Sequence, residues 1–164
     1  MKIAVSGRPG VGKTTLCMKV YDALKDKISI SGFITKEVRE KGRRVGFKLV
    51  NLKDGGEVWL ARVGKGNVTV GKYVVFVNEL EKFLEGVDFS CELFIVDEVG
   101  PMELKSRKFI EFIERVMQAD NLLVTVHYKS RHWIAEKIKK NFKLYILDKS
   151  NRDWVAVKIA EELG

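Results

Sequence analysis

Residues 7–15 read GRPGVGKTT and follow directly on the apolar run IAV. Gly7, Gly12, Lys13 and Thr14 fall in the register G-x-x-x-x-G-K-[ST]. That spacing suits the gripping of a phosphate chain. Glycines let the main chain take angles closed to other residues and come close to a ligand. Successive N–H groups then converge on phosphate oxygens, and the positive end of a following helix adds to the attraction. Lys13 has the reach for β- and γ-phosphates, and the Thr14 hydroxyl is a ligand for Mg²⁺. Arg8, Pro9, Gly10 and Val11 shape the loop, and Thr15 closes the expected nucleotide-binding stretch. The Arg8 side chain either faces water or touches phosphate. The competing reading, a glycine-rich turn that binds nothing, is opposed by a strand pattern before the loop and a helix pattern after it.

A second group of polar residues ends an apolar run. LFIVDE (93–98) is a buried-strand pattern that finishes in Asp97 and Glu98. In a parallel sheet the C-terminal strand ends face the ligand crevice. Asp97 there suits the Mg²⁺ site, directly or through water. Glu98 is placed to orient or deprotonate an attacking water. A strand that simply ends in polar residues is the plain alternative. DEVG (97–100) also fits the D-x-x-G pattern of switch GTPases, but LDKS (147–150) and NLKD (51–54) both fail the guanine-reading pattern that would have to accompany it. Val99, Gly100, Pro101 and Met102 shape the turn after the acids, with Gly100 at the nucleotide site.

These residues need a scaffold, and periodicity supplies one. Residues 2–6 read as a strand, and a helix runs from about 12 to 25. GFITKEVRE, RRVGFKLVNL and GEVWLARVG are strand-like and are split by the turn signals KGRR and KDGG. They predict a β-meander, followed by a strand over 73–77 and a short helix over 78–86. The second half alternates: strand 92–98, helix 106–119, strand 121–127, helix 131–140, strand 142–148 and helix 151–163. Near-continuous apolar strands alternating with helices imply a parallel sheet covered on both faces. The expected fold is α/β, a mostly parallel central sheet with helices on both faces and an inserted antiparallel β-meander. Residues 1–164 form one expected domain, with 32–77 as a β-rich insertion or sheet extension.

The totals narrow the class. The formal net charge is +8, from 30 basic and 22 acidic residues, which favours anionic partners without choosing among them. Cys17 and Cys91 are isolated, so neither a disulfide framework nor a zinc site is suggested, and a reducing cytoplasm follows. No apolar run approaches the ~18 residues of a membrane span, and the apolar part of the first strand is too short for a signal peptide.

Taken together, GRPGVGKTT, GFITKEVRE with a following RVGF, VGKYVV, DEVGPMEL and NRD near the end resemble the nucleoside-triphosphatase family first known from thermophiles. Its animal members are called cancer-related nucleoside triphosphatases. The match spans nearly the whole chain, and DE-x-G-x-ME after a P-loop is a specific signature. The resemblance implies a P-loop NTPase fold related to the additional-strand ATPases and nucleotide kinases. It implies slow Mg²⁺-dependent hydrolysis of several nucleoside triphosphates (ATP, GTP, CTP and others) to diphosphate and phosphate. It carries phosphate binding to residues 7–14, metal-linked chemistry to Asp97 and water activation to Glu98. Met102 and Glu103 belong to the signature without a catalytic role, and TVHYKS (125–130) is not a close match.

Other residues carry weaker signals. Asn151 and Arg152 follow the last strand, at the crevice edge where a base would lie, and Arg152 can stack on any base. The same residues also read as a helix start, with Ser150 or Asn151 as N-cap and Asp153 in the first turn. Arg131 or Lys129 can supply a finger-like positive charge or simply be solvated. His127 and His132 lack companions at metal spacing, and Trp59, Trp133 and Trp154 read as core or partly covered surface. Two other functions stay open. One is a kinase with KSRHW (129–133) as lid; the other is a nucleotide-loaded RNA-binding module using Lys36, Arg39, Lys41, Arg43 and Arg44.

Overall fold

A computed structural model describes residues 1–164. Its nine strands form one sheet in the order β5-β6-β4-β3-β2-β7-β8-β1-β9. Five of them, β1 (Lys2–Gly7), β2 (Ile30–Glu40), β7 (Leu93–Val99), β8 (Leu122–His127) and β9 (Lys143–Ile146), are joined by parallel pairings. β3 (Arg43–Asn51), β4 (Glu57–Val63), β5 (Thr69–Val70) and β6 (Tyr73–Val75) extend it by antiparallel pairings. β2 belongs to both halves. Its first residues run parallel to β7, and the stretch from Phe33 to Glu40 pairs with β3. The meander is therefore an extension of the sheet.

Helices cover both faces of the parallel half, as the unbroken apolar strands require. α1 (Lys13–Leu24) and α5 (Arg152–Leu163) bury Leu16, Val20, Val155 and Ile159 against Ile3, Val5, Ile95 and Leu123 on one face. α2 (Val77–Glu85), α3 (Arg107–Val116) and α4 (Trp133–Asn141) pack on the other around Ala4, Val96 and Val124. Phe33, fully buried, meets Phe83 of α2 edge-on at 5.7 Å and lies 6.4 and 6.1 Å from Phe109 and Phe112 of α3. This aromatic group anchors two helices where the two halves of the sheet meet.

The element expectations hold with shifts at the ends and one correction. The strand expected over 73–77 stops at Val75, and helix α2 already begins at Val77. The apolar run YVVFV reads as strand, but Phe76 N–H bonds to Leu60 O across to β4, and its carbonyl accepts from Leu80 N–H in the first helical turn. The two-residue strand β5 and the 3₁₀ turn at Glu103–Lys105 carry no sequence signal of their own.

Candidate nucleotide site

The phosphate-type loop sits where the motif needs it, between the end of β1 and the start of α1. Gly10 and Gly12 have φ of 78° and 110°, a region that favours glycine. Gly12 stands at the N-cap of α1, with no side-chain cap and no acidic residue in the first turn. The first N–H groups of that helix are thus left to a ligand. α3 offers the contrast, because Ser106 Oγ accepts from Phe109 N–H at 3.1 Å and closes that helix end locally. Arg8, Pro9 and Gly10 are exposed, Val11 is buried, and Thr15 is at the surface.

Asp97 and Glu98 both face this loop. In a regular strand, consecutive side chains point to opposite faces. Here the β7–β8 register passes from Val96↔Val124 to Val99↔Val126, so Asp97 and Glu98 oppose the single residue Thr125. A bulge of this kind re-aims side chains. The Asp97–Glu98 peptide is cis. Asp97 is 1% exposed and accepts from three elements. Thr14 Oγ1 donates to Oδ2 at 2.6 Å, Thr125 Oγ1 to Oδ1 at 2.6 Å, and Thr35 N–H to Oδ2 at 3.2 Å. Thr35 Oγ1 also donates to the Asp97 carbonyl at 2.5 Å. Burial pushes the Asp97 carboxyl above its ordinary pKa, against the pull of these hydrogen bonds and of Lys13.

Lys13 is buried, its Nζ donating to Gly7 O at 2.6 Å and lying 3.5 Å from Glu98 Oε2. Glu98 is likewise pushed up by burial, with Lys13 pulling it back and Asp97 adding to the rise. A third carboxyl, Glu103, is 3% exposed and lies well above its usual range, first through burial and then through Glu98. Gly100 passes between the two glutamates. A Cβ there would come within 2.8 Å of Glu98 Oε1 and 3.2 Å of Glu103 Oε1, so a side chain at this position would push the carboxyl ends from where they now lie.

The remaining expected residues divide. Arg152 reaches the loop, with Nη1 donating to Val11 O at 3.3 Å and its stem 3.6 Å from where a Gly12 Cβ would be. Asn151 is taken up by the turn before α5: it accepts from Asp148 N–H and donates to Ile146 O, both at 2.9 Å. It occupies the N-cap position, but its side chain caps nothing; Asp148 instead accepts from the N–H groups of Ser150 and Asn151. Lys129 and Arg131 are exposed and do not line the cleft. His127 does line it, opposite Gly7 in the β1–β8 register, with its pKa lowered by burial and then by Lys13.

The cleft itself has a volume of about 830 Å³. The loop and the acids form one side, and the meander forms the other through Thr35, Lys36, Glu37, Arg44, Phe47 and Tyr73. Sequence reading placed none of these six at a nucleotide site, and it missed Thr125. Threonines on strands look like ordinary β-formers, and only the register brings Thr35 and Thr125 to Asp97. Arg44 and Phe47 stand in the stretch RVGF that carries the resemblance, but nothing in that stretch assigns them to a ligand.

A family model described as NTPase matches residues 2–160. The chain is 58% identical over 163 residues to nucleoside-triphosphatase THEP1 of Archaeoglobus fulgidus, covering 99% of each chain. It is 43% identical to nucleoside-triphosphatase THEP1 of Methanocaldococcus jannaschii, over 99% of this chain and 95% of that one. Its fold is similar to the crystal structure of THEP1 from Aquifex aeolicus, with a TM-score of 0.87, 30% identity and 99% of both chains covered. It is also similar to the solution structure of a human cancer-related nucleoside triphosphatase, with a TM-score of 0.82, 31% identity and 99% and 96% covered. These matches bear out both the resemblance read from the motifs and the α/β fold, and the chain belongs to the NTPase family.

Proposed function

We propose that the chain is a Mg²⁺-dependent hydrolase of nucleoside 5′-triphosphates, ATP, GTP and CTP among them. It releases the diphosphate and phosphate slowly and with little regard to the base. The observation that carries this reading is the pair of contacts across the loop mouth, Thr14 to Asp97 and Lys13 to Glu98. The names of the relatives support the same activity.

The residues fit the metal that this chemistry uses. The Thr14 hydroxyl and the Asp97 carboxylate converge within 2.6 Å, an all-oxygen pair suited to a hard cation. The chain offers no cluster of three or more His, Cys, Asp or Glu that could hold a metal by itself. Mg²⁺ suits such a site, because it binds through one or two protein groups and completes its shell with water and substrate phosphates. Bound there, it would neutralise charge on the β- and γ-phosphate oxygens.

The other steps fall to the chain. Gly10, Gly12 and the first amides of α1 hold the phosphates. Lys13 leaves Gly7 O and Glu98 for phosphate oxygens as these arrive. Glu98 then orients a water and takes up its proton, and its raised pKa makes it a better base. Thr125 and Thr35 hold Asp97 in place. Arg152, a planar cation resting on the loop, stacks on any base, which fits broad tolerance. Asn151 precedes Arg152 on the base side of the loop, and Gly100 stands on the other side, beside Glu98. Residues 1–164 are read as one nucleotide-binding domain, because 32–77 continues the same sheet. The two unpaired cysteines fit a cytoplasmic protein, and no helix is long and apolar enough to cross a membrane.

The test is steady-state phosphate release from a panel of nucleoside triphosphates, with Mg²⁺ or with chelator, for wild type, Lys13→Ala and Glu98→Gln. Lys13→Ala is expected to lose both affinity and turnover. Glu98→Gln is expected to bind nucleotide normally while kcat falls about 100-fold or more. Normal turnover by Glu98→Gln would remove Glu98 from the role given to it, and turnover in chelator would remove the metal.

A further inference from the structure

We propose that the meander side of the cleft is a second ligand subsite, built for a small molecule that carries both a planar ring and a phosphate. A nucleoside monophosphate is the simplest example. The inference rests on the reading that the loop takes a triphosphate, and it concerns the space that such a triphosphate leaves.

The strand order separates two sides of the loop. β1 lies between β8 and β9, so Arg152, after β9, stands on one side, and β7, β2 and the meander stand on the other. Arg152 contacts the loop at Val11 but does not line the cleft. The cleft runs the opposite way, past Asp97 and Glu98 to the meander. A nucleotide whose base lies beside Arg152 therefore points its γ-phosphate end into the cleft. About 830 Å³ is in the range of pockets that enclose a whole small ligand, well beyond a phosphate tail.

The far wall has the chemistry to hold that second ligand. Arg44 Nε donates to Tyr73 Oη at 3.0 Å, and its guanidinium carbon lies 5.4 Å from the centre of the Phe47 ring. Glu37 holds the Arg44 Nη1 from 3.7 Å. Tyr73 is buried, and its ring centre is 5.4 Å from that of Phe47. An arginine anchored in this way has N–H donors left over in a fixed fork, the shape that matches a phosphate. Lys72, at the hairpin turn between β5 and β6, adds a second cation within reach and takes part in no ion pair with a carboxylate. Phe47, partly buried, gives a flat apolar face to a ring. A wall that only packed the sheet would not set a fixed guanidinium and an aromatic face side by side in a cleft that opens on Glu98.

The experiment saturates the protein with Mg²⁺ and the non-hydrolysable β,γ-imido analogue of ATP, then titrates adenosine monophosphate by calorimetry. One further site per chain is expected, filled without displacing the analogue. Arg44→Ala should weaken it about tenfold or more, the loss of one charge-assisted contact, with partial recovery in Arg44→Lys. Phe47→Leu, which keeps an apolar contact with Tyr73, should weaken it by a smaller factor. Displacement of the analogue by the monophosphate would assign the wall to the first nucleotide and overturn the proposal. Absence of a second site, or variants that bind as wild type does, would also overturn it. Failure of the loop reading looks different: the analogue itself would not bind, or would bind Lys13→Ala as tightly as wild type.

Discussion

In the parallel half of the sheet, Asp97 and Glu103 are 1% and 3% exposed and share one strand end with Glu98. In the antiparallel half, Glu37, Glu40 and Glu57 lie in the open beside Arg39, Arg62 and Lys36. The first group is held above the ordinary carboxylate range by burial. Burying a charge is costly even when it is hydrogen-bonded, whereas an exposed ion pair changes stability little in either direction. A cluster that works against the fold persists where it serves chemistry. The difference fits the proposed reading, in which chemistry runs at the parallel half and the meander supplies the far wall of the cleft.

Asp97→Asn is the hardest test of that contrast. An amide nearly matches the carboxylate in shape. Its oxygen can accept from Thr14 and Thr35, and its NH₂ can donate to the Thr125 hydroxyl, which turns to accept. The buried charge disappears while the packing stays. Turnover is expected to fall about 100-fold or more, as removal of a metal-linked charge does. The melting temperature in chelator at pH 8 is expected to stay level or rise. A clear drop in melting temperature with activity retained would make Asp97 a structural residue and dissolve the comparison.

Legibility followed the same division. The loop could be read because phosphate chemistry fixes residue types at fixed local spacing, and Asp97 and Glu98 because an apolar strand ends on them. Helices α1, α3 and α5 were readable from long periodic faces. Thr35 and Arg44 stood in stretches that carry the resemblance, and Thr125 in one that does not match closely, but the contacts of all three depend on register between strands distant in sequence and could not be read. Thr35 and Asp97 are 62 residues apart, and Thr125 is 28 from Asp97. Glu103 was visible as part of a resemblance, but its burial against Glu98 depends on the 3₁₀ turn that no local pattern announces. Asn151 illustrates the converse, a residue whose type suggested ligand or cap and whose side chain closes a turn.

Glu103→Gln should act on stability and its pH dependence more than on the chemical step. An acid with a raised pKa in the fold contributes stability that is complete below the unfolded value, ~4.5, and is lost as pH rises through the folded value. The melting temperature of wild type minus that of Glu103→Gln should therefore fall from pH 5 to pH 8. Taking this difference cancels His127, whose lowered pKa pushes the other way around pH ~6.5. At pH 8 the variant should melt higher, by about 2–4 °C for each kcal/mol relieved. A difference that does not change with pH would mean that Glu103 titrates as it would in water.

Glu57→Gln should produce the smallest effect. Glu57 lies 3.6 Å from Lys36 Nζ and 4.0 Å from Lys48 Nζ, and all three side chains are substantially exposed. Lys48 also lies 4.8 Å from the centre of the Trp59 ring, with Arg62 at 4.6 Å, so much of its contact survives loss of the carboxylate. The expected cost is under about 1 kcal/mol, which is under about 4 °C, and smaller still in 0.5 M salt. The substitution also probes the RNA-binding reading. Of its five meander cations, Lys36 and Arg39 already face Glu57 and Glu37, and Arg44 lines the cleft, where its remaining donors suit one small phosphate and not a polyanion running over the surface. Filter binding of a single-stranded RNA across a salt series is expected to show weak binding for wild type, and at most a modest gain for Glu57→Gln as Lys36 and Lys48 are released. Tight binding by wild type with a steep salt slope would mean that these pairs open to admit a polyanion, and would give the meander a function independent of the loop.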